Sequence, residues 1–201
     1  MNGFVNKYTQ NFPTHNPGGV ATSQGHVVLI SGTTGAIGSN TLAELYGSSS
    51  VAQVVVLARN STTSIFVRQK KALESRGLDP SIIDSSKLIL LEGDPALPRF
   101  GLEEDVYMGL GSTVTHILHI GSWLAVHDIP KPILNSSLGW RVNFNLGLSS
   151  FVPNVAGVRN LINFALGSKF SIPPRFIFTS TAAVVARKLV FNRIRRSNDL
   201  V

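Results

Sequence analysis

The sequence predicts an α/β domain built on a doubly wound parallel sheet. Three observations support this fold class. Short apolar runs typical of buried strands alternate with segments of helical periodicity. Those runs are apolar at consecutive positions, as expected of parallel strands that helices cover on both faces. The first run is followed directly by three glycines at three-residue steps, between a strand and a helix.

The first strand–turn–helix unit spans residues 26–40. Val27 to Ile30 form the apolar run that predicts a buried strand. Gly32, Gly35 and Gly38 then form the turn. The residues that recur at helical spacing after the turn are Ile37, Thr41, Leu42 and Leu45.

The remaining elements follow in alternation, with glycine or proline near several of their ends. They are a strand at 51–58, a helix at 61–76, a strand at 87–91, a weakly helical segment at 100–109, a strand at 114–120, a helix at 154–166 and a strand at 175–179. Residues 121–139 have no clean period, and Pro130 and Pro132 exclude a continuous helix there.

The glycine-rich turn predicts an anion site. Glycine lets the backbone turn tightly and approach a phosphate, while the first N–H groups of the helix point at the negative charge. Set between an apolar strand and an amphipathic helix, Gly32, Gly35 and Gly38 predict binding of a dinucleotide pyrophosphate. The alternative is a glycine-rich turn that only packs the helix against the strand.

Arg59 ends the second strand, where NAD-binding folds place an acid for the ribose 2′-OH. An arginine there accommodates the 2′-phosphate of NADP, so NADP is the expected cofactor. Arg68, on the following helix, can reach the same phosphate, and Asp94 follows the third strand, where an acid can face the adenine. For Arg59 and Arg68, the alternative is that the side chain is simply solvated.

Composition narrows the class of protein. A chain of 201 residues, 43% of them hydrophobic and 14% charged, is long enough for one domain with a sizeable core. The absence of cysteine excludes disulfides, thiolate metal sites and cysteine nucleophiles. No apolar run has the length of a membrane span and the first residues lack a secretory signal, so a cytoplasmic location is expected.

Two further features argue against other kinds of site. His116 and His119 are three residues apart on a predicted strand and therefore point to opposite faces, so no metal site is expected. The net charge of +7 is concentrated at 186–201, where five basic residues face one acid. Because no aromatic-rich surface accompanies it, a solvated basic tail is favoured over a nucleic-acid or acidic-membrane patch.

Seven segments carry a family resemblance: SGTTGAIGS, VVVLARN, RQKKALESRGLD, LLEGDPALPRFGL, VTHILH, WRVNFNLGLSSFVPNVAGVRNLINFAL and RFIFTSTAAV. Over about residues 5–185 the chain resembles the extended short-chain dehydrogenase/reductase superfamily. It is most similar to the thioester reductase domains, of the carboxylic acid reductase and male-sterility type, in fungal non-ribosomal-peptide-synthetase-like and aminoadipate-reductase-type enzymes. The resemblance implies a Rossmann fold and reduction of a carrier-bound acyl thioester to an aldehyde or alcohol with NADPH.

The resemblance also implies residue roles. Thr181 would hydrogen-bond the developing oxyanion, Asp94 would contact the adenine, and Asn154 would be largely structural. Arg59 and Arg68 would hold the 2′-phosphate. The residues that would cradle the pyrophosphate are Gly32, Thr34, Gly35, Ile37 and Gly38. The implied partner is an acyl carrier with a phosphopantetheine-bound thioester; no nucleic acid and no membrane are expected.

The sequence departs from the family pattern in two ways. Family members continue from the fourth strand as His-Asn-Ala-Trp, whereas here residues 120–139 intervene between His119 and Trp140, which a retained intron would explain. The Tyr-x-x-x-Lys pair of the superfamily is absent, so the hydride acceptor lacks a positioned acid. The similarity stops after Val185, and we expect the sheet to be incomplete at its C-terminal end.

The expected organisation is a linker at 1–25, an NAD(P)-binding domain at 26–185 with an insertion at 120–139, and a basic tail at 186–201. We expect the NADP(H)-binding part of a thioester reductase-like domain, inactive alone. The competing hypothesis, which the missing Tyr/Lys pair favours, is a non-catalytic dinucleotide-binding or interaction module.

Overall fold

The computed structural model describes residues 2–19, 25–120 and 151–179. The strands are β1 His26–Ser31, β2 Val51–Ala58, β3 Leu88–Glu92, β4 His116–His119 and β5 Arg175–Phe178. The helices are α1 Asn2–Thr9, α2 Ala36–Gly47, α3 Ile65–Glu74, α4 Glu104–Thr113 and α5 Val152–Leu166, with 3-10 turns at Pro80–Asp84 and Pro98–Gly101.

The five strands of the described ranges all pair in parallel, in the order β3-β2-β1-β4-β5. Parallel neighbours need crossover connections, and the helices supply them. The strand order reverses between β1 and β4, so the sheet has the topological switch point of a Rossmann fold. The predicted fold class, an α/β domain with a doubly wound parallel sheet, is confirmed.

The sheet is covered on both faces, which explains its uninterrupted apolar strands. Neighbouring residues of β1 pack on opposite faces of the sheet. Leu29 packs with Leu161 and Phe164 of α5. Ile30 packs with Leu42 of α2 and Leu73 of α3. Leu29 and Ile30 are at most 1% exposed. Full burial of one such side chain stabilises a fold by about 1.5–3 kcal/mol.

Several predicted helical boundaries differ from the observed ones. The helix predicted at 61–76 begins at Ile65, because the Ser64 hydroxyl caps it by accepting from the N–H of Val67 and the Glu92 carboxylate accepts from the N–H of Ile65. The segment predicted at 100–109 is divided: a 3-10 turn ends at Gly101, and α4 begins at Glu104.

The N-terminal segment predicted as a linker contains α1 and is held against α5. The Arg159 guanidinium donates to the carbonyl oxygens of Tyr8, Gln10 and Asn11 at 3.1, 2.7 and 2.7 Å. The two ring nitrogens of His15 lie 3.0 Å from the carbonyl oxygens of Leu166 and Phe170. Residues 8–15 therefore pack on the domain through polar contacts.

Candidate dinucleotide-binding site

A cleft of about 990 Å³ opens at the carboxyl ends of the strands. This is where open α/β sheets bind ligands, because the loops after the strands diverge at the switch point. Its walls come from the glycine-rich turn, the end of β2, the loop after β3 and the start of α5. Of the predicted cofactor residues, the structure brings into this cleft Gly32, Thr34, Gly35, Ile37, Gly38, Arg59, Arg68 and Asp94.

The turn between β1 and α2 requires glycine at two positions. Gly32 has φ +84°, in the left-handed region that side chains disfavour. A Cβ on Gly38 would collide with the carbonyl oxygen of Gly32 and lie 2.8 Å from the Thr33 Cα. The start of α2 therefore lies directly against the turn, as in the close helix–strand packing of a dinucleotide fold.

The first turn of α2 is suited to an anion. Its N-cap residue is Gly35, and no side chain in the described part of the protein caps it. The first N–H groups of a helix lack intrahelical acceptors, and the helix dipole adds a partial positive charge at that end. Backbone donors next to a side-chain-free turn fit a pyrophosphate, so the residues present suit this part of a dinucleotide.

Thr33 is held by α3 through a pair of buried hydrogen bonds that the sequence did not reveal. The Thr33 hydroxyl donates to Oε1 of Gln69 at 2.6 Å, and Nε2 of Gln69 donates to the Thr33 carbonyl at 3.2 Å. The Ser39 hydroxyl also donates to that carbonyl, at 2.7 Å. Gln69 and Ser39 are fully buried and Thr33 is 1% exposed, so the turn is fixed from two helices.

Arg59 is exposed at the rim of the cleft. Loss of hydration to the surrounding protein lowers its pKa and the nearby Arg68 lowers it further, while Asp94 acts in the opposite sense. A guanidinium remains charged at neutral pH despite such a shift. Arg59 therefore presents a positive charge beside a second cation, Arg68, and these two positive charges suit a phosphate.

Arg68 is largely engaged by the protein itself. Its Nη2 donates to the Arg59 carbonyl at 2.7 Å and lies 3.4 Å from Oε1 of Glu92, while Nε donates to the Thr63 carbonyl at 2.9 Å. The guanidinium thus fixes the loop between β2 and α3. Its predicted contact with a 2′-phosphate stays a prediction.

The loop after β3, which forms one wall of the cleft, is also held in place by hydrogen bonds within the protein. Oδ1 of Asp94 accepts from the N–H of Ala96 at 2.9 Å, so this carboxylate holds its own turn. Asn160 of α5 donates to the carbonyls of Pro95 and Leu97 at 2.8 and 3.2 Å. Sequence reasoning missed Asn160, because a polar residue within a helix gives no signal of a partner 65 residues away.

The cleft floor contains a second polar pair. Oγ of Ser31 lies 2.6 Å from Nδ1 of His119, at the ends of β1 and β4. The His119 ring stacks on Phe178 with 5.7 Å between centroids, and burial lowers its pKa. A neutral imidazole here fixes the relative positions of the two strand ends.

The three tyrosines of the chain all lie in the described part, and none of them lines the cleft. Tyr107 packs against Phe100 and Phe164 in the core, where burial raises its pKa. Tyr8 is on α1 and Tyr46 is near the end of α2. Thr181, the insertion after Ile120 and the basic tail lie outside the described residues.

Over the described ranges, no group of three histidine or acidic side chains is placed to hold a metal ion. Across the same ranges, no helix is both long and apolar enough to cross a membrane.

Comparison with known proteins gives consistent matches. The sequence model of the Male sterility protein family, an NAD-binding domain, matches residues 30–130. The chain is 38% identical over 202 residues to the adenylate-forming reductase Nps10 of Heterobasidion annosum, which covers 100% of this chain and 16% of that protein. It is 32% identical over 188 residues to a carboxylic acid reductase of Neurospora crassa, which covers 93% of this chain and 16% of that protein.

This chain thus spans only 16% of the length of either curated relative. Among solved structures, the fold is similar to the reductase domain of a non-ribosomal peptide synthetase from Mycobacterium tuberculosis. That match has a TM-score of 0.60 and 25% identity, and covers 92% of this chain and 38% of the other.

Proposed function

The chain belongs to the Male sterility protein family of NAD-binding reductase domains, and from this premise we propose that it binds NADP(H) in the cleft at the carboxyl ends of its strands. The observation that supports this most directly is the packing of Gly38 on Gly32. That contact leaves a side-chain-free turn at the uncapped start of α2. The N–H of Gly35 donates to the Gly32 carbonyl within the turn. The backbone N–H groups of Thr34, Ile37 and Gly38 would face the pyrophosphate.

The preference for NADP over NAD rests on Arg59. An acid at the end of β2 would bind a ribose 2′-OH and repel a phosphate, whereas a guanidinium attracts a phosphate and forms two parallel hydrogen bonds with it. Arg68 adds positive charge beside Arg59 and holds the Arg59 carbonyl. Asp94, which lies near Arg59 at the cleft, would face the adenine.

We propose that this site contributes to the reduction of an acyl thioester held by a phosphopantetheine carrier, a reaction that the chain alone is not expected to sustain. When bound, the reduced nicotinamide supplies the hydride. Thr181 would donate a hydrogen bond to the oxygen on which negative charge develops. His119 and Ser31 would keep the ends of β4 and β1 in register beneath the nicotinamide.

A second candidate function is a non-catalytic dinucleotide-binding module. It is favoured by one observation: the three tyrosines of the chain lie away from the cleft, so none can donate a proton to substrate there. Both candidates require dinucleotide binding and differ only in turnover.

Hydrogen–deuterium exchange with and without NADPH tests the proposed site. Peptides that contain residues 32–38 and Arg59 should gain protection on binding, while those from α1 should not change. Absence of binding, or protection confined to regions outside the cleft, would overturn the proposal.

A further inference from the structure

Gln69 is a buried side chain that the proposed cofactor contacts do not use. It belongs to α3, whose neighbouring positions are exposed or half-exposed: Arg68 lies at the cleft rim and Lys70 in solvent. A fully buried amide is uncommon in a helix of this kind unless both its donor and its acceptor are satisfied. Here the donor and the acceptor of the amide each pair with Thr33.

The two hydrogen bonds between Gln69 and Thr33 run in opposite directions. Oε1 of Gln69 receives the Thr33 hydroxyl proton, and Nε2 donates to the Thr33 carbonyl oxygen. Thr33 stands between Gly32, whose backbone is left-handed, and Thr34, which begins the proposed pyrophosphate cradle. The amide therefore orients the peptide group from which the cradle starts.

We infer that Gln69 is a positioning residue that holds the phosphate-binding turn in its binding geometry from outside the cofactor site. This inference rests on the proposed function. Its physical reason is pre-organisation: a turn already held in the bound geometry loses less conformational freedom on binding. The adjacent Arg68 holds the Arg59 carbonyl, so α3 braces the turn and the end of β2 from consecutive residues.

The effect of Gln69 should depend on which part of the ligand is present. NADP⁺ would contact both the turn and Arg59, whereas adenosine 2′-monophosphate lacks the pyrophosphate and would contact only the Arg59 side. Gln69→Leu should therefore weaken NADP⁺ binding by about tenfold or more, the scale of losing a buried hydrogen-bonded pair. Binding of adenosine 2′-monophosphate should change by less than about twofold.

Gln69→Glu gives a variant whose hydrogen bonding to Thr33 should depend on pH. A protonated carboxyl can accept from the Thr33 hydroxyl and donate to the Thr33 carbonyl, as the amide does. An ionised carboxylate cannot donate, and burial raises the pKa of such a group. The ratio of variant to wild-type dissociation constants for NADP⁺ should thus be near one at low pH and rise as pH increases.

The matched control is Gln53→Glu, on β2 near the amino end of the sheet, where the added charge is far from the turn. Its ratio should stay near one at every pH. Calorimetry on the full 201-residue chain gives the constants, and circular dichroism at each pH checks that each variant is folded.

The results of these titrations distinguish a failure of the proposed function from a failure of the inference about Gln69. If the wild-type chain does not bind NADP⁺, the proposed function is wrong and the inference fails with it. If the wild type binds and both Gln69 variants bind equally well at all pH values, the inference alone is wrong. Equal weakening of NADP⁺ and adenosine 2′-monophosphate would also overturn it, because that result indicates general destabilisation.

Discussion

Ser31 and His119 join the ends of two neighbouring strands through a 2.6 Å contact between Oγ and Nδ1. The pair lies at the switch point of the sheet, under the cleft, and the imidazole is buried against Phe178. Because burial lowers the pKa of His119, the folded protein favours the neutral ring. Protonation would therefore oppose folding at this point.

Stability should fall as the pH is lowered from about 7 to about 5, the range in which an unfolded histidine becomes protonated. The unfolded chain binds more protons there than the folded one, so the free energy of unfolding decreases with falling pH. His116 acts in the same direction, because burial, His26 and Arg175 lower its pKa. Urea unfolding at several pH values measures the dependence.

Two single variants and the corresponding double variant test whether His119 and His116 cause this pH dependence. His119→Gln and His116→Gln should each reduce the slope of unfolding free energy against pH, and the double variant should reduce it most. A His119→Gln variant with the wild-type slope would contradict the assignment to the Ser31 pair.

Gly38→Ala should both destabilise the protein and weaken NADPH binding. The added methyl meets the Gly32 carbonyl, and overpacking of this kind costs about 1–3 kcal/mol. Gly47→Ala, at the other end of α2, is the matched control, since its Cβ would have no heavy atom within 4 Å. The control should change stability by less than about 1 kcal/mol and leave binding intact. Equal behaviour of the two variants in urea unfolding and in NADPH titration would contradict the packing argument.

Arg159→Ala should release the N-terminal segment. Three backbone carbonyls lose their donor, and the guanidinium also leaves the face of the Phe12 ring, 3.8 Å from its centroid. We expect a loss of about 2–3 kcal/mol in unfolding free energy, as for charged hydrogen bonds, and faster proteolysis at residues 8–18. Arg159→Lys should be intermediate, because an ammonium cannot reach the carbonyls as a planar fork does. Wild-type proteolysis of the alanine variant would indicate that other contacts hold the segment.

The unmodified chain should bind cofactor without sustained turnover. A positioned general acid typically contributes about 10²- to 10⁴-fold, and the tyrosines of this chain lie away from the cleft. NADPH consumption with a carrier-linked acyl thioester measures turnover, with Thr181→Ala as the control. Turnover clearly above that control would show that another residue supplies the proton.

The sequence predicted secondary-structure elements best where a short run of apolar residues defines the element. The bounds of β2, Val51–Ala58, were predicted as observed, because a strand buried on both faces is apolar along its length. The fold class, predicted from the glycine-rich turn and the alternating elements, is confirmed by the observed sheet. The family resemblance, drawn from seven sequence segments, is confirmed by the family match over residues 30–130.

The remaining features depend on contacts that periodicity cannot reveal. Gln69 has the sequence signature of a polar helix face, and its burial follows only from where the Thr33 turn lies against α3. Likewise, nothing in the sequence of the expected linker at 1–25 indicates that Arg159 holds its backbone from about 150 residues away. Such long-range polar pairs are set by tertiary structure.

The expected preference for NADP over NAD depends on Arg59. Arg59→Ala should remove about 1–3 kcal/mol of the preference for NADPH over NADH, the scale of a charge-assisted hydrogen bond. Arg76→Ala is the matched control, because Arg76 lies beyond the end of α3 and does not line the cleft.

The dinucleotide site is tested most directly by a calorimetric titration of the unmodified chain with NADPH and with NADH under identical conditions. Both cofactors should bind at one site, NADPH should bind more tightly, and Arg59→Ala should bring the two affinities together. Equal affinity of the unmodified chain for both cofactors would contradict the role of Arg59. No binding of either cofactor would contradict the dinucleotide site itself.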